Sequence, residues 1–131
     1  SFDKTMAFHR KTSAVALRTA ERKDREAAAP RLTTEVPKLV TLDIQFVEQA
    51  SEAAQPVTYM RRVVVAAAPA LFEVGCGDSS CKGGGHDLTH SILRDLKDGR
   101  EAFTGEDACY GSVGTAPCRR VLKHIATATY R

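Results

Sequence analysis

Four cysteines are the residues of this chain whose chemistry is most specific, and all of them lie in its C-terminal half. They form two pairs, Cys76 with Cys81 and Cys109 with Cys118. Two thiolate pairs carried on separate turns can surround one ion tetrahedrally, and sulfur is a preferred ligand in closed structural zinc sites. The sequence therefore predicts a structural zinc site made of Cys76, Cys81, Cys109 and Cys118.

Two other fates of these cysteines stay open at this point. They could form two short-loop disulfides, which persist in oxidising compartments, or they could be unlinked buried thiols. The spacing is unusual for zinc, because paired ligands are typically about two to four residues apart and the second pair exceeds that range. Metal content measured together with a free-thiol count distinguishes the three possibilities.

The predicted surroundings of the cysteines favour a metal. Glycines at 75, 77, 83, 84 and 85 predict an open loop whose N–H groups can turn towards the sulfurs. Cys109 is expected in a turn-rich hairpin over 103–114. Cys118 is expected to begin a helix over 118–127, where the helix dipole favours thiolate. A loop, a hairpin and a helix start around one ion resemble the architecture of treble-clef zinc folds.

His86 is a candidate alternative ligand. It lies on the same glycine-rich loop as Cys81, so Cys76, Cys81, His86 and Cys118 could form a mixed set; it could equally cap or pack against a helix predicted over 87–98. Together with His90 it has some likeness to the paired histidines of zinc proteases. The helix begins between the two, however, and no third ligand follows, so a small metal-dependent hydrolase is only the second alternative function.

The composition is that of an ordinary globular domain. The chain has 131 residues, of which 27% are charged, and this length predicts one domain with an appendage. No apolar run approaches the roughly 20 residues that a membrane span needs. The first residues show no signal-peptide pattern, so the expected location is cytoplasmic, although a leader removed before Ser1 stays possible.

The N-terminal segment is the most basic part of the chain. Residues 1–31 carry eight Lys and Arg against four Asp and Glu, and residues 5–29 are predicted to form a helix that ends at Pro30. Its apolar stripe is thin, with Phe8 and Val15 one heptad apart, which is typical of a helix that projects or pairs. We therefore predict an interaction arm over 1–30 and a single domain over 31–131. The candidate partner-binding residues are Arg10, Lys11, Arg18 and Arg22 on the arm, with Arg119 and Arg120 near the C-terminus.

The middle of the chain alternates with the period of a strand. Residues 39–48 and 57–65 predict an antiparallel hairpin, and residues 70–74 predict a third strand. The expected fold is α+β: a basic N-terminal helix, a three-stranded antiparallel sheet, and a Cys-rich metal-stabilised part over 75–131 with two short helices and a turn-rich hairpin.

These features predict a non-enzymatic, zinc-stabilised binding module. The expected partner is a protein, or a second copy of the chain, contacted through the N-terminal helix. A zinc-containing nucleic-acid-binding regulator is the first alternative. It is less favoured because the near-balanced charge of the body gives no sustained positive footprint.

Overall fold

The computed structural model describes residues 20–51, 53–78 and 80–131. Their helices are α1 (20–28 of the described chain), α2 (Leu32–Glu35) and α3 (Thr89–Lys97). Their strands are β1 (Leu39–Gln49), β2 (Val57–Val63), β3 (Glu73–Val74), β4 (His86–Asp87), β5 (Ala102–Ala108), β6 (Ser112–Val113), β7 (Ala116–Pro117) and β8 (Val121–Tyr130). The α+β class predicted from the sequence is confirmed at this level.

The predicted three-stranded sheet is wrong: among the described residues the main sheet has four antiparallel strands, in the order β2-β1-β8-β5. From residue 42 to its end, β1 alternates buried and less buried residues, as its sequence predicts, because successive side chains of a strand point to opposite faces. Its buried residues Leu42, Ile44 and Phe46 lie opposite Ala128, Ala126 and His124 of β8. One face of the sheet therefore forms one side of the hydrophobic core.

Helix α3 contributes the other side of that core. Ile92 and Leu96 are one turn apart and almost fully buried, and both belong to the same apolar cluster as Ile44 and Leu122. The helix ends at Lys97. Gly99 follows the C-cap, and its φ of 73° is the left-handed conformation that only glycine adopts without strain. The helix predicted over 87–98 begins two residues later, at Thr89. Asp87 lies in β4 instead, and its Oδ1 accepts a hydrogen bond from the Thr89 N–H at 3.1 Å.

Two predicted elements, the third strand and the C-terminal helix, differ from the structure. The third strand is only Glu73–Val74, and it pairs with β4 in a separate two-stranded sheet. The predicted C-terminal helix over 118–127 is wrong, because those residues run into β8, which lies between β1 and β5. A strand forms there because Leu122, His124, Ala126 and Ala128 alternate and all four face the core.

The predicted N-terminal arm is only partly described. Residues 20–28 are helical, whereas the rest of the helix predicted over 5–29 lies mainly outside the described residues. The described turns of α1 contact the rest of the domain. Arg25 makes a two-pronged ion pair with Glu73 of β3, with its Nε 2.9 Å from Oε1 and its Nη2 2.7 Å from Oε2. This part of α1 is therefore tied to the strand that leads to Cys76.

No helix within the described ranges is both long enough and apolar enough to cross a membrane.

Candidate metal centre

The first cysteine pair lies on the connection between β3 and β4. Cys76 follows β3 after one glycine, and Cys81 lies halfway to His86 of β4. Pairing of Val74 with His86 brings the two ends of this connection together. The connection therefore forms a closed loop that carries both cysteines.

The second pair comes from the opposite ends of a long hairpin. Cys109 follows β5, and its N–H donates to the Arg120 carbonyl at 2.8 Å. Cys118 lies just before β8, and its N–H donates to the Gly111 carbonyl at 2.8 Å. Since Ala108 and Val121 are also paired, the β5–β8 ladder continues beyond the sheet and places the two cysteines beside each other.

The two cysteine loops are joined by backbone contacts. Lys82 and Ser112 exchange two hydrogen bonds, of 2.8 and 3.1 Å. Next to this bridge, a Cβ placed on Gly111 would come within 2.5 Å of both Gly84 Cα and Cys81 Sγ. Neither glycine has a positive φ, so these positions exclude a side chain because of close packing and not because of backbone conformation.

The four sulfurs form one compact cluster. All of them lie within 4.8 Å of one another, with 3.7 Å between Cys76 and Cys118 and 3.6 Å between Cys81 and Cys109. A zinc–sulfur distance of about 2.3 Å implies tetrahedral sulfur–sulfur edges of about 3.8 Å, whereas a disulfide bond is about 2.05 Å long. The cysteines are unbonded, and they could hold a metal ion.

Backbone N–H groups point at two of the sulfurs, as the glycine-rich loop predicted. Cys76 Sγ accepts a hydrogen bond from Asp78 N at 3.4 Å. Cys109 Sγ accepts from Gly85 at 3.3 Å and from Gly111 at 3.5 Å. Such donors stabilise negative charge on sulfur and orient the ligand. These N–H groups therefore favour the deprotonated, thiolate form of Cys76 and Cys109.

Burial acts against those thiolates. It raises the pKa of the Cys76 thiol to about 12 and that of Cys81 to about 11. At Cys109 burial acts in the same direction, but the N–H groups of Gly111 and Gly85 outweigh it and the pKa is lowered. An ion that enters the cluster must therefore displace protons, which makes binding depend on pH.

His86 lies beside the cluster in the chain but is engaged elsewhere. Its side chain is buried, and its Nδ1 is 3.1 Å from Asp107 Oδ2 on β5. The grouped ligand atoms are those of the four cysteines. His90 is exposed on α3. The two histidines thus do not share a helix face, and the geometry of a zinc protease is not formed.

The expected helix start at Cys118 is wrong, because the chain passes from Cys118 into β8. The treble-clef resemblance depended on that helix. In the structure both cysteine pairs lie on connections between strands. The sulfur of Cys109 accepts hydrogen bonds from two backbone N–H groups.

A buried ion pair fixes the metal loops to the main sheet. Glu48, at the end of β1, accepts from Arg120 Nη1 at 2.9 Å and from the Gly77 N–H at 3.3 Å. Glu48 is 8% exposed and Arg120 25%. One carboxylate therefore connects a residue beside Cys76 to a residue beside Cys118. Sequence reasoning missed this pair, although an acidic residue on the buried face of β1 was its visible signal.

The predicted partner-binding residues do not form one described surface. Arg10, Lys11 and Arg18 lie outside the described residues. Arg22 lies over Gly75, with its Nη2 3.1 Å from the place of a Cβ there. Arg119 is exposed, whereas the neighbouring Arg120 is bound to Glu48.

Comparisons with known proteins show no family for this chain. The chain matches no family model, no curated protein and no solved structure. The chemistry of the site is therefore argued from its own geometry.

Proposed function

We propose that this chain is a non-enzymatic binding module whose C-terminal half is held in shape by one structural zinc ion. The observation that carries the proposal is the sulfur cluster, with all four sulfurs within 4.8 Å of one another. Zinc is proposed because thiolate ligands and tetrahedral spacing both suit it.

A structural role is favoured over a catalytic one by the ligand count. Four sulfurs complete the coordination of zinc, whereas catalytic sites keep one position for water or substrate. Cys81, Cys109 and Cys118 are buried and form a small cluster of their own, apart from the main core. The ion would therefore take the place of an apolar core between the two cysteine loops.

Native mass spectrometry tests the zinc site. We expect one zinc per chain under non-denaturing conditions, lost on denaturation in acid. Cys81→Ser should reduce zinc occupancy strongly, whereas His86→Gln should retain one ion because His86 is not a ligand in this account. Equal loss in both variants would indicate the mixed ligand set, and full occupancy in Cys81→Ser would contradict the site.

We further propose that the basic N-terminal segment contacts an acidic surface of a protein partner, with Arg10, Lys11, Arg18 and Arg22 as the contact residues. The net charge of residues 1–31 supports this, and the Arg25–Glu73 pair connects the segment to the zinc half. Nucleic acid is less favoured, because Arg120 is occupied by Glu48 and is not available for phosphate.

Fluorescence anisotropy can separate these partners. We expect the full chain to bind a labelled poly-glutamate peptide more tightly than a DNA or RNA duplex at the same salt concentration. Replacing Arg10, Lys11 and Arg18 with Gln should weaken peptide binding. The matched control replaces the exposed Arg61, Arg94 and Arg131. Tighter, steeply salt-dependent duplex binding would favour the nucleic-acid alternative.

A further inference from the structure

Cys76 is the most accessible of the four cysteines. It is partly exposed, whereas the other three are buried, with 6% of their surface exposed or less: Cys81, Cys109 and Cys118. The chain neighbours of Cys76 are Gly75 and Gly77, and both line an open cavity of about 400 Å³. A water molecule takes up only about 30 Å³ in the liquid, so this cavity admits small dissolved molecules. A small oxidant in solution therefore reaches Cys76 before the other three sulfurs.

Cys118 of the other cysteine loop lies within reach of Cys76. Their sulfurs are 3.7 Å apart, so they must approach by about 1.6 Å to form a disulfide bond of about 2.05 Å. The flanks of the two cysteines are held together by protein groups, because Glu48 accepts hydrogen bonds from both the Gly77 N–H and Arg120. This connection does not include the metal ion. The two sulfurs therefore stay close to each other when the ion leaves.

The second pair of sulfurs, Cys81 and Cys109, is more protected. These sulfurs are 3.6 Å apart, and both pack against the backbone of Gly84, where an added Cβ would collide with each of them. Cys109 Sγ also accepts hydrogen bonds from the N–H groups of Gly85 and Gly111. Such bonds stabilise negative charge on sulfur and make it a weaker nucleophile. The cluster therefore has one accessible pair and one protected pair.

We propose that Cys76 is a site of oxidation by hydroperoxides, and that Cys118 then forms a disulfide with it and so releases the zinc ion. The inference rests on the proposed zinc site and adds a regulation to it. Zinc is bound while the cysteines are reduced and is released when a peroxide is present. The new disulfide joins the same two loops that the ion joined, so the loops stay together after the ion has left.

The oxidation takes place in two steps. The Cys76 thiolate attacks one oxygen of hydrogen peroxide, so that an S–O bond forms, the O–O bond breaks and hydroxide leaves. The Cys118 thiolate then attacks the sulfur of this sulfenic acid, so that the S–S bond forms, the S–O bond breaks and a second hydroxide leaves. Two electrons pass from the two sulfurs to the peroxide. Since only thiolates are metal ligands, zinc loses two of its four ligands.

Stepwise oxidation of the full chain tests the release, once native mass spectrometry has measured its zinc content. With hydrogen peroxide we expect the loss of one zinc ion, detected with a chromophoric chelator, together with two of the four thiols that titrate after denaturation. A thiol reductant should restore both. A chain that holds no zinc before the oxidant is added would contradict the proposed function. Zinc that stays bound while the methionines are oxidised would overturn this inference and leave the zinc site intact.

Peptide mapping identifies the cysteines that react. An Asp-specific protease cleaves before Asp78 and chymotrypsin cleaves after Tyr110, so the two enzymes together separate the two cysteines of each loop. After free thiols are blocked, we expect the first disulfide to join the fragment that contains Cys76 to the fragment that contains Cys118. This linkage can be mapped whether or not the chain held zinc. A first disulfide between any other two cysteines would overturn the inference.

Two matched variants test the role of Cys118. Cys118→Ser and Cys109→Ser each remove one of the four sulfurs, but only Cys118→Ser removes the thiol that reacts with oxidised Cys76. We therefore expect a cyclic diketone to trap sulfenic acid at Cys76 in Cys118→Ser, whereas Cys109→Ser should still form the disulfide between Cys76 and Cys118. Equal trapping of sulfenic acid in the two variants would overturn the inference.

Discussion

The backbones of Gly84 and Gly111 touch beneath the sulfur cluster. A Cβ on Gly111 would lie 2.5 Å from Gly84 Cα and 2.5 Å from Cys81 Sγ. The two residues belong to different cysteine loops, one between β3 and β4 and the other after β5. Their contact lets the loops approach closely enough for four sulfurs to share one ion.

Gly111→Ala should therefore damage the metal site directly. The added methyl group must push the two loops apart, and we expect a loss of about 1–3 kcal/mol in the free energy of unfolding together with weaker zinc binding. Competition with a chromophoric chelator measures the zinc affinity.

Gly83→Ala is the control for that variant. Gly83 has a φ of 66°, and a Cβ there would meet no atom of the described part of the chain within 4 Å. Alanine should cost about 1 kcal/mol of backbone strain while zinc affinity stays unchanged. Equal zinc affinity in the two variants would show that the glycine contact does not position the sulfurs.

The buried Glu48 should couple the sheet to the metal loops. Glu48→Ala leaves Arg120 and the Gly77 N–H without their shared acceptor, and we expect a loss of about 1–3 kcal/mol in the free energy of unfolding. Denaturant unfolding of the zinc-loaded protein checks this. The exposed pair of Arg62 and Asp43 provides the comparison, and Arg62→Ala should change stability by less than about 1 kcal/mol. Similar losses in both variants would contradict a special role for Glu48.

Removal of zinc should disorder the loops but not the main sheet. The sulfur cluster and the main apolar core are separate, so the β1–β8 pairing does not need the ion. In two-dimensional NMR spectra recorded with a strong chelator, we expect residues 75–85 and 109–120 to shift or broaden, whereas residues of β1 and β8 keep their dispersion. Complete unfolding on chelation would show that the sheet depends on the metal.

His124 should make stability fall in mild acid. Burial lowers its pKa below the ordinary value of 6.5, and the nearby Asp95 carboxylate opposes this only in part. Both ring nitrogens are buried, and neither has a hydrogen-bond partner among the described residues. Below about pH 6.5 the His124 side chain of the unfolded chain is protonated, whereas that of the folded chain stays neutral. The contribution of His124 to the free energy of unfolding is therefore complete above about pH 6.5 and is lost as the pH falls below it.

Comparison with His124→Gln isolates that contribution. The free energy of unfolding should fall more steeply between about pH 7 and pH 5.5 in the wild-type chain than in the variant, because acid effects on the thiolates are common to both. Parallel pH profiles would contradict the assignment.

The sequence and the structure agree best where one pattern dominates. The alternation of Leu42, Ile44 and Phe46 and the i, i+4 spacing of Ile92 and Leu96 predict a strand and a helix that the structure contains. β8 was misread because Val121, Leu122 and Ile125 also fit a helical face, and a histidine at 124 hid the alternation of buried residues. Only pairing with β1 and β5 decides between the two, and that pairing is not local.

The site was predictable in its residues but not in its geometry. Four clustered cysteines among glycines indicated a metal, and the N–H donors followed from the open loop. The contact between Gly84 and Gly111, and the Glu48–Arg120 pair beneath the loops, join segments far apart in the chain. Such contacts depend on the final packing and leave no periodic signal in the sequence.

X-ray absorption spectroscopy of the purified zinc protein tests the central claim most directly. We predict four sulfur neighbours at about 2.3 Å from a single zinc per chain, without a nitrogen shell. His86→Gln should give the same spectrum. A nitrogen contribution that disappears in His86→Gln, or protein that holds no metal and has four titratable thiols, would contradict the account.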